Sequence, residues 1–222
     1  LNPAAGFTDP GDTIELTDAA NYFDSYEVVI PDLTIVGRAG QTITINPFST
    51  GPCFTTNLSS AGAVRLENLT LINGRAEAAL GYTNEGGGIR NINATLGLLE
   101  VIDCTVQDCS AAFSGGGIYA TGVDMLIEGS TFQNNSGDNG LAGAIRCSAA
   151  DIIVRDSTFI GNDAISASDT GTGGAIAVAT DGATLLVEGC HFEDNEAGTV
   201  GGAIYTAGNS ASVTLRPLLS WP

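Results

Sequence analysis

The sequence predicts an all-β fold, a right-handed parallel β-helix, and three observations predict it. A five-residue phrase recurs as "GGGIR" from Gly86, "GGGIY" from Gly115, "AGAIR" from Ala142, "GGAIA" from Gly173 and "GGAIY" from Gly201. Its isoleucines, Ile89, Ile118, Ile145, Ile176 and Ile204, are 29, 27, 31 and 28 residues apart. A second phrase falls between the copies: "NLTLING", "DCTVQDC", "GSTFQNN", "DSTFIGN" and "GCHFEDN". The segments around both phrases alternate with period two and are cut by Gly and Asn turns, with no helical period. A strand of four or five residues cannot bury its inner face alone. Stacked coils solve this by pairing each backbone with the next at about 4.8 Å. A coil of 27–31 residues accommodates three short strands.

The whole chain, 1–222, reads as one β-helix domain. Residues 1–12 lead in. Residues 13–63 form irregular coils, in which "TIELTD", "EVVIPDLTIVG" and "QTITINP" are strand-like. "GPCFTT", from Gly51, is a degenerate copy of the Gly-Ile phrase and puts Phe54 in the Ile column. Residues 64–215 are the regular coils. Each opens on an apolar pair: Val64 and Leu66, Leu99 and Val101, Met125 and Ile127, Ile152 and Val154, Leu185 and Val187. An anchor follows: Leu71, Val106, Phe132, Phe159 or Phe192. The anchors and the five isoleucines are the expected core rungs. Val213 and Leu215 start another coil, and residues 216–222, "RPLLSWP" as written, are either a cap or a truncated coil.

Alternation assigns faces. With Phe132 inward, Ser130 points inward and Thr131 outward. The inward small column is then Leu69, Cys104, Ser130, Ser157 and Cys190, and the outward one is Thr70, Thr105, Thr131, Thr158 and His191. Asn135, Asn162 and Asn195 align three residues past the anchor, with Cys109 and Gly74 in the same column. Stacked Asn side chains form hydrogen-bonded ladders, and Asn tolerates the left-handed turn conformation. A further column reads Glu67, Ile102, Glu128, Arg155, Glu188, which places Arg155 between two carboxylates. The repeated glycines mark a corner that needs positive φ or close backbone approach. Beside the isoleucines, the varied column Arg90, Tyr119, Arg146, Ala177, Tyr205 faces outward, and is the place to look for lateral binding.

Composition bounds the function. There are 25 acidic residues against seven basic ones, all Arg, for a net charge of −18. That argues against nucleic acid and against anionic membrane surfaces. At 43% hydrophobic and 14% charged, the chain is too apolar for disorder. No apolar run reaches the roughly 20 residues of a membrane span, so direct membrane insertion is not expected.

The pairing of "GGAI" with "FxxN", as in "STFQNN" and "HFEDN", resembles the polymorphic outer-membrane protein repeat over about residues 64 to 215. The likeness extends to extracellular right-handed β-helix proteins of the pectate-lyase-like superfamily, which "DLTIVG" and "VRLENLTLING" also resemble. The resemblance implies a secreted or surface-displayed β-helix, often an adhesin.

Candidate chemistry is sparse. The lone His191 reads as an exposed strand residue without a partner constellation. A glycoside hydrolase needs two carboxylates at a defined separation, and the "NTD", "DD" and "GHG" phrases of polygalacturonase-like hydrolases are absent. No catalytic residue and no cofactor is assigned. Ca²⁺ is the one cofactor alternative, because Asp138, Asp163, Asp169, Asp181, Asp194 and Glu196 crowd the turns. Cys53, Cys104, Cys109, Cys147 and Cys190 leave at least one thiol unpaired, and their pairing is open. Sequons at Asn57, Asn68, Asn93 and Asn134 are candidate glycosylation acceptors, with Asn93 and Asn134 at predicted turns. The expected function is a non-enzymatic extracellular structural or adhesive module. Its expected partners are other chains of a surface assembly, with carbohydrate as a further class. The alternatives are a polysaccharide lyase or hydrolase and a Ca²⁺-dependent carbohydrate-binding module. The longest insertion, Asn162 to Gly173, is short, which favours the first reading.

Overall fold

A computed structural model describes residues 9–17, 21–58, 60–92, 97–138, 140–148, 151–165, 171–179, 181–207 and 212–217. Its strands stack in parallel from coil to coil. A long sheet of eight strands runs from Thr13–Leu16 to Ser212–Arg216 and carries the apolar pairs. A Phe sheet of seven runs from Asn21–Tyr22 to His191–Glu193, and an Ile sheet of seven from Tyr26–Val28 to Ile204–Ala207.

The Ile sheet pairs Phe54 with Ile89, then Ile89, Ile118, Ile145, Ile176 and Ile204 in turn. The anchors pair as Leu71, Val106, Phe132, Phe159 and Phe192. Phe132 stacks on Phe159 at 5.0 Å between ring centroids, and Phe159 on Phe192 at 4.9 Å, both at 6°. The core therefore runs along the axis as columns of like side chains. Phe192 and Ile204 in the final full coil are only half-buried.

The regular coils differ from the expected three strands. A fourth sheet of two-residue strands runs Arg75–Ala76, Ser110–Ala111, Ser136–Gly137, Asp163–Ala164, Glu196–Ala197. Two residues are too short to show alternation, so only stacking reveals it. The N-terminal residues are also more regular than expected, because Thr13–Leu16 and Leu33–Gly37 already hold the register of Ala63–Glu67.

Three of the turns in each regular coil pass through a left-handed residue at a fixed column. Asn68, Asp103, Gly129, Asp156 and Gly189 precede the Phe strand, and Asn73, Asp108, Asn134, Gly161 and Asp194 follow it. Gly86, Gly115, Ala142, Gly173 and Gly201 precede the Ile strand. The left-handed residue after the Phe strand is the one before the ladder asparagine, not the ladder residue itself.

The two glycines of "GGAI" differ in their constraints. Gly173 combines φ +68° with a Cβ position 2.5 Å from the Ile176 carbonyl oxygen, whereas Gly174 is required by space alone: a Cβ there would lie 2.1 Å from the Gly202 carbonyl oxygen. Ala142, at φ 65°, shows that the first position accepts a Cβ.

Candidate functional site: inner ladders and outer columns

Two columns of buried polar side chains hold neighbouring coils together. In the first, Asn135, Asn162 and Asn195 stack. Each Asn162 bond has a donor and an acceptor one coil apart. The Asn135 backbone N–H and Nδ2 donate to Asn162 Oδ1 at 3.1 and 2.9 Å, and Asn162 Nδ2 donates to Asn195 Oδ1 at 2.8 Å. The amide nitrogens also donate to the Val106, Phe132 and Phe159 carbonyls at 2.9–3.0 Å. Cys109 N–H starts the column by donating to Asn135 Oδ1.

The second column is the inward small one. Cys104 N–H donates to Ser130 Oγ at 3.1 Å, and Ser130 N–H to Ser157 Oγ at 3.1 Å. The hydroxyls and the thiol then donate to carbonyls of their own and neighbouring coils. The sequence marked these residues only as small; their hydroxyls at coil spacing were the available signal.

All five cysteines are free. Burial pushes the Cys104 and Cys147 thiols up to about 12, with backbone hydrogen bonds and, at Cys147, the Arg146 charge opposing in part. Burial also raises Cys190, and it raises Cys53 well above the usual range, with the Cys109 thiol adding to the effect. Cys53, Cys104 and Cys147 are therefore buried thiols without thiolate character.

On the outside, His191 is exposed and lies 3.1 Å from Glu193. Arg155 pairs with Glu188 at 3.3 Å, and Arg216 approaches the same carboxylate at 3.9 Å. Arg65 joins Glu67 and Glu100 at 2.8 and 3.3 Å. A groove of about 430 Å³ at the first corner is lined by Glu15, Val36, Glu67, Asn68 and Asp103. Its Glu15 is tied to Arg38 at 3.4 Å.

At the fourth sheet, Ser136, Asp163 and Glu196 follow one another in register. Ser136 Oγ lies 2.9 Å from Asp138 and 3.0 Å from Asp163. Among the described residues, no three His, Cys, Asp or Glu side chains converge as a metal site. Asp169 lies outside those residues.

The sequons separate by environment. Asn134 is exposed at its corner, with Nδ2 at 3.3 Å from Asp108. Asn68 is committed: its Nδ2 donates to the Gly37 and Arg38 carbonyls at 2.8 and 3.1 Å. Asn57 Nδ2 donates to Glu27 at 2.8 Å. Asn93 lies outside the described residues, as does most of "PLLSW".

The varied column of the Ile sheet holds the expected register Arg90, Tyr119, Arg146, Ala177, Tyr205. It is less open than expected, because Arg90 is 9% and Ala177 0% exposed. Residues 77–86, with a 3₁₀ turn at Ala78–Leu80, bring Tyr82 and Thr83 over Arg90. Elsewhere, Phe23 and Phe48 stack at 5.1 Å with both rings exposed. Asn46 Oδ1 accepts the Phe48 N–H at 2.9 Å and Phe48 sits at φ 51°.

A family described as the right-handed β-helix region matches residues 57–216, most of the chain, and the protein belongs to that family. Neither a curated protein nor a solved structure matches it.

Proposed function

We propose that the chain is a non-enzymatic structural or adhesive module, displayed outside the cell or on its surface and working beside other chains in a filament or multi-chain assembly. The observation that carries this reading is the continuous internal cross-linking of successive coils. The Asn ladder, the Ser and Cys column and the Phe stack each join one coil to the next. Such a rod holds a repeating outer surface at fixed spacing. The "GGAI" and "FxxN" phrasing resembles polymorphic outer-membrane protein repeats, which supports surface display.

The test is a panel of cell-surface and plant polysaccharides incubated with the chain, with product release and retention on the insoluble fraction both measured. Retention or self-assembly without product is the expected result. Chain cleavage abolished by a single carboxylate substitution overturns it. The second reading, a carbohydrate-active enzyme or Ca²⁺-dependent carbohydrate module, draws on the groove lined by Glu15, Glu67 and Asp103. Glu67→Gln is its variant: loss of turnover, or of Ca²⁺-dependent retention, would favour it.

A further inference from the structure

The chain has seven basic residues, all Arg. Five of them, Arg38, Arg65, Arg75, Arg155 and Arg216, lie 2.7–3.9 Å from a carboxylate. Among the described residues, Arg90 and Arg146 have no such partner. The fold brings these two together. They occupy one outward column of the Ile sheet with Tyr119 between them, two strand spacings apart, about 10 Å.

Both guanidiniums are partly desolvated. Arg90 is 9% exposed, lies 5.7 Å over the Tyr82 ring, and donates through Nε to Thr83 Oγ1 at 2.9 Å. Burial lowers its pKa, opposed by Glu85, Tyr82 and Glu27. Arg146 is half-buried and donates to the Cys147 carbonyl. Burial lowers its pKa too, and only Tyr119 and Cys147 oppose that, with no carboxylate among them. Arg90 has Glu85 and Glu27 near it but no ion pair, and Arg146 has no carboxylate acting on it at all; a desolvated charge so poorly compensated is costly. In a chain with 25 acidic residues, neither guanidinium makes the direct carboxylate contact that the other five make.

We propose that Arg90, Tyr119 and Arg146 form a binding site for a small ligand carrying two oxyanions, carboxylate or sulfate, about two strand spacings apart. Each planar guanidinium fork matches an oxyanion. The Tyr119 phenol between them supplies a hydrogen bond to the neutral part of the ligand. A small ligand fits better than a second copy of the chain, which brings a charge of −18 against a site on a chain of equal charge. The long-range repulsion is screened beyond about 8 Å at physiological ionic strength, so a dianion is recognised at contact range. The site does not depend on whether the module is adhesive.

The test is calorimetric titration at low salt with a linear disulfated oligosaccharide, its monosulfated analogue, and an α,ω-dicarboxylate of similar span. The disulfated probe is expected to bind roughly tenfold or more tighter than the monosulfated one, because the second contact is intramolecular. Arg146→Gln should bring it down to the monosulfated level, with a thermal midpoint without ligand that is unchanged or raised. Arg216→Gln, in an exposed ion pair elsewhere, should leave it alone. Binding of the dicarboxylate as well assigns the site to oxyanions generally, and binding of the sulfated probe alone assigns it to sulfate. Equal affinity for the two sulfated probes, or an Arg146→Gln chain that still prefers the disulfated one, overturns the proposal. Tighter binding of a poly-glutamate peptide than of any small probe overturns the small-ligand assignment. If Arg90→Gln fails to fold, Arg146→Gln and Tyr119→Phe carry the test.

Discussion

Replacing Asn162 by alanine removes the centre of the Asn ladder. Asn162 is fully buried and makes four side-chain hydrogen bonds: Oδ1 accepts the Asn135 N–H and Nδ2, and its own Nδ2 donates to Asn195 Oδ1 and the Phe132 carbonyl. Asn135 Nδ2 keeps the Val106 carbonyl, so the buried Asn135 backbone N–H is the group left without a partner. An orphaned buried donor costs about 1–3 kcal/mol, and each other lost bond a net 0.5–1.5 kcal/mol. The expected loss is therefore about 2.5–7.5 kcal/mol, a large part of the roughly 5–15 kcal/mol of a typical domain.

Urea denaturation measures the total. Amide hydrogen exchange locates it, because a solenoid can open one coil at a time. The Asn135 amide should exchange about 100-fold faster or more, at about 1.4 kcal/mol per factor of ten. Asn195→Ala, at a half-buried position where water can replace the lost partners, should cost less, about 1–2 kcal/mol. A loss below about 1 kcal/mol at Asn162, or equal losses at the two positions, would refute the reasoning that the ladder binds the coils.

The glycine pair gives a second comparison, read by thermal melting. Gly173→Ala should cost at least about 1–2 kcal/mol, the penalty of a left-handed non-glycine residue, because its Cβ would also lie 2.5 Å from the Ile176 carbonyl oxygen. Gly174→Ala should cost more, because its Cβ would lie 2.1 Å from the Gly202 oxygen and 2.5 Å from the Glu196 nitrogen. The thiols predict a pH dependence. Cys104 and Cys147 are raised from 9.0 to about 12 in the fold, so above pH 9 the unfolded chain loses protons that the folded chain keeps. Their contribution is fully present below pH 9 and falls away between pH 9 and about 12, and Cys104→Ser should flatten that decline in denaturation curves. For glycosylation, oligosaccharyltransferase acting on folded protein should modify Asn134 and leave Asn68 bare. The Asn68 amide is held by two carbonyls, and peptide mass spectrometry distinguishes the two sites.

The columns were legible because the fold repeats them. Ile89 to Ile204 and Leu71 to Phe192 could be aligned by type alone, since each coil must fill the same space as its neighbour. The faces followed from period two, so the inward Ser130 and outward Thr131 needed no coordinates. The fourth sheet escaped this reading because Ser136–Gly137 and its neighbours are too short to alternate. The hydrogen bonds of Ser130 and Ser157 escaped it because a small inward residue looks the same whether or not its hydroxyl is paired.

The candidate anion site was half legible. Arg90, Tyr119 and Arg146 could be placed in one outward column by repeat spacing. That Arg90 is covered by Tyr82 and Thr83 depends on where residues 77–86 fold. That the other five Arg find carboxylates depends on side chains that can be far apart in sequence, as with Arg65 and Glu100.

By itself the sequence determined the β-helix, its coil length, its core columns and the place of its ladder. These are properties of a one-dimensional repeat, in which position along the chain sets position in space. Only the tertiary structure decided which polar groups pair, which glycine is required by space alone, and which guanidiniums make no ion pair. Those depend on distances between coils and on loops that follow no repeat.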